Sequence, residues 1–177
     1  MEPKEQIGIA RGVVKAMESA ADRERDRRVS DMVLRGKEET GEYDVFLCYN
    51  SRDRQAVEQI ASRLKEKKVR PWLDIWDLRP GDRWIDKLAE IISSVNPAAV
   101  FVGPHQTGQY RNLEIPAVIR QSIESGIRVI PVILPEAEGE PQWSTFLEDF
   151  HRVDFRVPAP DPMASLVYGI TGERLEL

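Results

Sequence analysis

The sequence predicts an α/β protein: a five-stranded parallel sheet in the order 2-1-3-4-5, with helices on both faces and a helical segment in front. Three observations predict it. From Tyr43 onward, short apolar runs of strand length alternate with stretches of helical periodicity, the signature of a parallel sheet with crossover helices. The first run, Val45-Phe46-Leu47-Cys48-Tyr49, is apolar without alternation, as a strand covered on both faces must be. Later runs stop at turn residues, Gly103-Pro104 after the third and Pro135 after the fourth, which separates the elements cleanly. The architecture is the flavodoxin-like three-layer fold.

In chain order, Ile7, Ala10, Val14, Met17 and Ala21 recur at helical spacing and predict a leader helix with one apolar stripe. The mixed-charge run Asp22 to Arg28 continues it through local ion pairs, and Val29, Met32 and Val33 restore a weaker stripe. Gly36 to Gly41 reads as a polar linker, so residues 1–40 are expected to be leader and linker and residues 41–177 the domain. After the first strand, Asp53 is placed to cap a helix whose buried stripe is Val57, Ile60, Ala61 and Leu64. Arg70 to Leu73 is a short second strand whose Pro71 suits an edge. A loop from Asp74 to Arg83 carries Pro80-Gly81, and Trp84, Leu88, Ile91 and Ile92 mark the next helix. Ala98 to Val102 is the third strand, followed by a helix from about Asn112 to Ser125 that stops at Gly126. Ile127 to Leu134 is the fourth strand. Phe146-Leu147 suggests a short helix, His151 to Val157 a fifth strand, and Met163 to Ile170 a closing helix.

In such a sheet, ligands bind outside the carboxyl ends of the strands where the strand order reverses. Here those ends are Tyr49-Asn50-Ser51 and Gly103-Pro104-His105.

Composition excludes several functions. The net charge of −5 argues against direct nucleic-acid binding, which needs a clustered basic excess. No apolar run approaches the roughly 20 residues that span a bilayer, and the N-terminus has no signal-peptide core. The single cysteine, Cys48, builds no disulfide framework and reads as a buried thiol, so a soluble cytoplasmic protein without membrane contact is expected. The Gly-x-Gly-x-x-Gly, Walker and Gly-x-Ser-x-Gly patterns are missing. With two histidines and no cysteine pair, no metal site is expected.

Tyr43-Asp44-Val45-Phe46-Leu47-Cys48-Tyr49-Asn50-Ser51-Arg52-Asp53 resembles the opening strand of Toll/interleukin-1 receptor (TIR) domains. Trp72-Leu73-Asp74, then Asp77-Leu78-Arg79-Pro80-Gly81-Asp82 and Trp84, is similar to the second strand and BB loop of bacterial and plant members. Tyr110 to Glu114, an aromatic residue four before a glutamate, and Ile130-Pro131-Val132 are further matches. The resemblance spans about three quarters of the chain. Three positions depart from the pattern: Cys48 stands for the usual serine, Tyr110 for a common tryptophan, and Gly103-Pro104 for a serine-rich strand end.

The resemblance to bacterial NADase-type members implies an NAD+ glycohydrolase, with NAD+ as substrate and no other cofactor. Cleavage of the nicotinamide–ribose bond releases a neutral pyridine, so the group to stabilise is an oxocarbenium-like ribosyl cation. One ionised carboxylate beside the ribose does this electrostatically. Pro116 is tolerated only near a helix start, which puts Glu114 in the first turn or just before it, after the third strand. Glu114 is therefore the expected catalytic carboxylate. Tyr110 is expected to stack on a ring of the substrate, Tyr49 and Asn50 to line the pocket, Asp74 to meet a ribose hydroxyl, and Trp76 to flank the loop. The resemblance also implies self-association through the loop Asp74 to Arg83, and a role in bacterial antiphage signalling. The alternatives are a non-enzymatic module that acts by homotypic docking and a nucleotide-binding sensor using the same cleft.

Overall fold

The computed structural model of the chain describes residues 3–73, 90–91, 94–95, 97–106, 124, 126–139, 147 and 149–174. It contains helix α1 (Pro3–Thr40), strand β1 (Val45–Cys48), a 3-10 turn (Ser51–Asp53) leading into α2 (Arg54–Glu66), and β2 (Pro71–Trp72). These are followed by β3 (Ala98–Val102), a second 3-10 turn (Pro104–Gln106), β4 (Val129–Ile133), β5 (Val153–Asp154) and α3 (Pro162–Thr171). The five strands form one sheet in the order β2-β1-β3-β4-β5, and every pairing is parallel. This is the expected order.

Alternate residues of β1 feed two cores. Val45 and Leu47 pack with α2 residues Val57, Ile60 and Leu64 and α3 residues Leu166 and Ile170. Phe46 and Cys48 face the other way, with Trp72, Ile91, Val95 and Leu147, and the rings of Phe46 and Trp72 stack 5.1 Å apart. A strand with both faces covered has no polar position to offer, which is why β1 reads as an unbroken apolar run. Cys48 is buried and reduced.

Both strand prolines obey the ladder. Pro71 lies on β2, at the sheet edge. Pro131 lies on an interior strand, yet its missing N–H costs nothing. In a parallel strand every second residue turns its N–H and C=O to the same neighbour, and the carbonyl of Ile133 accepts from Phe155 of the β5 side. Pro131 turns the same way, and β5 pairs with β4 only from Val132 onward.

The helix ends follow capping rules. Asp161 accepts from the N–H groups of Met163 and Ala164, each at 3.2 Å, and Pro162 occupies the first turn of α3. Gly172 closes α3 in the left-handed region at φ 76°.

One expectation is corrected at the N-terminus. The stretch read as a linker from Gly36 is helical through Thr40, and only Gly41 breaks it, at φ 72°. Met17 and Met32 are 67% and 70% exposed, whereas Ser30, Leu34 and Lys37, one face at helical spacing, turn toward the sheet. The seam is polar. Ser30 Oγ donates to the carbonyl of Glu66 at the end of α2. Lys37 Nζ donates to Asp44 Oδ2 at 2.6 Å, and Arg70 Nη1 donates to the carbonyls of Lys37 and Glu42 while its guanidinium lies over the Tyr43 ring. Hydrogen-bonding partners, not hydrophobicity, decide which face of this helix is inward.

Two further differences are small. The fifth strand is two residues long, Val153–Asp154, rather than seven. Of the expected short helix at Phe146-Leu147, Leu147 is buried in a turn and Phe146 lies outside the described residues.

Candidate functional site

Strand order reverses between β1 and β3, so the chains leaving these two strands diverge and open a crevice above the sheet. From β1 the chain runs through Tyr49 and Asn50 into the Ser51–Asp53 turn. Asn50 Oδ1 accepts from the N–H of Arg52 at 3.0 Å and caps that turn. Tyr49 is half-buried against the core under α2 and α3.

Asp53 takes the cap position of α2, but its side chain makes no capping bond there, contrary to the sequence expectation. Its side chain, 1% exposed, crosses instead to the end of β3, where Oδ1 lies 2.5 Å from His105 Nδ1. The reason is steric. A Cβ placed on Gly103 would fall 2.5 Å from Asp53 Cγ and Oδ2, so only glycine at the end of β3 lets a carboxylate occupy that space. The second oxygen, Oδ2, is buried and has no hydrogen-bond partner among the described residues. A buried carboxylate oxygen without a donor is costly, and such groups concentrate where a structure serves something other than stability.

With the carboxylate ionised and the ring neutral, the contact puts the hydrogen on His105 Nδ1 and the lone pair on Nε2. The His105 side chain is 46% exposed. It opens onto a groove of about 260 Å³ whose other polar walls are Arg52, Gln55, Gln59 and Glu136. Gln55 and Gln59 lie one turn apart on α2, and Glu136 follows β4. The groove thus draws on the ends of β1, β3 and β4 and carries charges of both signs. Among the described residues, no cluster of three or more His, Cys, Asp or Glu is arranged to hold a metal, and no helix is long and apolar enough to cross a membrane.

Of the residues singled out from sequence, Tyr49 and Asn50 stand at the carboxyl end of β1 as expected. Glu114, Tyr110, Asp74 and Trp76 lie outside the described residues, as does the loop Asp74 to Arg83. Sequence reasoning reached the strand end that carries His105 but gave the side chain no partner. Asp53 it read as a cap, because an aspartate before an amphipathic stretch is the usual cap signal. The available hint was Gly103, a glycine at the end of a β-rich run, which marks a close approach of another group.

The fold and crevice define the class: an open, parallel α/β domain with a polar groove at its topological switch point. The model of the TIR domain family matches residues 45–167, and the chain belongs to that family, whose members are signalling modules. Among solved structures, the chain is similar to the TIR domain of the Toll-related receptor TRR-2 from Hydra magnipapillata. Identity is 19%, with 65% of this chain and 86% of that one covered and a TM-score of 0.49. It is also similar to the TIR domains of the activated Roq1 resistosome, described as directly recognising the pathogen effector XopQ. That match has 21% identity, 52% and 57% coverage and a TM-score of 0.41. No curated protein matches the chain.

Proposed function

We propose that this chain is a TIR effector domain that cleaves the nicotinamide–ribosyl bond of NAD+, releasing nicotinamide and an ADP-ribose product, linear or cyclic. The observation that carries the reading is the polar groove at the ends of β1 and β3, built around a buried carboxylate and the half-exposed imidazole it holds. A buried carboxylate oxygen with no donor among the described residues, under such a groove, supports a site over a docking surface alone. Glu114 is the group assigned to the ribosyl cation. It follows β3 in sequence and lies outside the described residues; Pro116 puts it in the first turn of the expected helix or just before it, where the dipole favours the charged form, and an ionised carboxylate there lowers the barrier by opposing the developing positive charge. Tyr110 stacks on a substrate ring, Asp74 meets a ribose hydroxyl, Tyr49 and Asn50 line the pocket, and Trp76 flanks the loop.

Assembly belongs to the same proposal. TIR domains self-associate, and the segment Asp74 to Arg83, whose Pro80-Gly81 pair is a turn signal in the sequence and which carries charges of both signs, is the docking element that brings one domain against the next. The setting is cytoplasmic immune signalling in a bacterium defending itself against phage.

The test is nicotinamide release from NAD+ by concentrated or crowded protein, so that lack of assembly cannot imitate lack of chemistry. Glu114→Gln keeps the shape and loses the charge. It is expected to lower turnover by about a hundredfold or more, while the melting midpoint hardly moves, because a first-turn dipole partner contributes only about 0.3–1 kcal/mol. An equally active variant would remove Glu114 from the chemistry. No release by the wild type under any assembling condition would leave the domain as a homotypic docking module.

A further inference from the structure

We propose that His105 is the proton acceptor for the water that completes NAD+ hydrolysis, with Asp53 as its positioning residue and the groove beside them as the ribosyl and water subsite. The inference rests on the NAD+ reading above and adds to it the second half of the reaction, which Glu114 does not serve. Once nicotinamide has left with the C–N bonding pair, the ribosyl cation must be captured. A lone pair of the water oxygen forms the new bond to C1′, one O–H bond of that water breaks, and its proton passes to His105 Nε2 and then to solvent. No oxidant, metal or further reactant enters.

Four observations support the assignment. The Asp53–His105 pair bridges the ends of the two strands between which the order reverses, the place where this architecture takes its ligand. The contact fixes the ring through Nδ1, so Nε2, on the opposite edge, is the free nitrogen and has no partner among the described residues. That is the arrangement by which a carboxylate orients an imidazole for base chemistry. The groove of about 260 Å³ is several times the roughly 30 Å³ share of one water, which leaves room for a sugar and its attacking water. The cost of the arrangement is visible in Asp53 Oδ2, left buried and without a partner among the described residues, and in the glycine that position 103 requires. A helix cap would have used the same aspartate without either cost.

The experiment separates two acceptors. Water must lose a proton to form product, whereas a free pyridine such as 3-acetylpyridine displaces nicotinamide without losing one. Wild type and His105→Asn are each given NAD+ and 3-acetylpyridine, and the hydrolysis and exchange products are quantified together. Asparagine keeps an N–H donor for Asp53 and removes the base. The ratio of hydrolysis to exchange is expected to fall about a hundredfold, within the range that general base catalysis supplies, and Asp53→Asn is expected to lower it in the same direction. A ratio equal to that of the wild type, or an equal loss of both products, would overturn the inference and leave the NAD+ reading standing. No nicotinamide release by the wild type would sink both. Should His105→Asn lose its cooperative melt, the unaltered chain decides by NMR during an ADP-ribose titration. Movement of the His105 ring signals with those of His151 unmoved supports the subsite, and an unmoved His105 at saturation overturns it.

Discussion

Asp53, just past the end of β1, and Asp154, the last residue of β5, stand at the same carboxyl edge of one sheet, and their surroundings are opposite. Asp154 is 23% exposed and fully engaged. Arg156 Nη2 and Nε donate to its two oxygens at 2.7 and 2.9 Å, and the Arg156 N–H adds a third bond at 2.9 Å. The Arg156 guanidinium holds the Asp154 carboxyl below its usual value, against a smaller opposing effect of burial. Asp53 is buried far more deeply, yet among the described residues it has one imidazole contact and one oxygen without a partner. A satisfied, partly exposed carboxylate is what a strand end needs for structure. A deeper and less satisfied one, at the point where strand order reverses, is what a site needs. The contrast predicts that changes near Asp53 register in activity and changes near Asp154 only in stability.

The sharpest way to break the contrast is Gly103→Ala. The added methyl must displace the Asp53 carboxylate, and overpacking of this kind costs about 1–3 kcal/mol. The expected result is a melting midpoint lower by several degrees, together with a hydrolysis-to-exchange ratio that falls as it does for His105→Asn. A Gly103→Ala protein with unchanged midpoint and unchanged ratio would show that the carboxylate has no fixed seat at the end of β3.

A smaller effect is expected from removing the leader. We propose the domain boundary at Gly41, and a chain starting there loses the Lys37–Asp44 pair and the Ser30 bond to Glu66. Net contributions of such bonds are about 0.5–1.5 kcal/mol each, so a cooperative melt should persist at a midpoint reduced by a few degrees. Loss of cooperativity in a thermal melt would make the last turns of α1 part of the folding unit.

The smallest effect belongs to Asp154→Asn. A partly exposed ion pair contributes under about 1 kcal/mol, and NAD+ cleavage should not change. The sign with pH follows from the lowered carboxyl. Its contribution is complete above the unfolded carboxylate value of about 4 and is lost as pH falls through the lower folded value. Denaturant titrations at pH 7 and pH 2.5 should therefore show a smaller difference for the variant than for the wild type. Equal differences would remove the Asp154–Arg156 pair from the acid sensitivity of the fold.

Much of the architecture was legible because burial writes itself into periodicity. Val45 to Cys48 and Ala98 to Val102 are covered on both faces and so are apolar throughout, while Val57, Ile60, Ala61 and Leu64 return at helical spacing because one face of α2 is buried. Asp161, Pro162 and Gly172 are local signals, and the closing helix begins and ends at them. The inward face of α1 was not legible. Its contacts run through Ser30 and Lys37 to residues some 7 to 36 positions away, and no local pattern distinguishes a serine with such a partner from a solvated one.

The sequence by itself determined the alternation of elements, the parallel order of the strands and the crevice above β1 and β3, since each follows from burial periodicity and chain handedness. Only the tertiary structure decided what Asp53 does. A cap and a buried site carboxylate look identical along the chain. The choice between them was made 50 residues downstream, by a missing Cβ at Gly103 and an imidazole at His105, because a carboxylate goes where space and a donor are offered together.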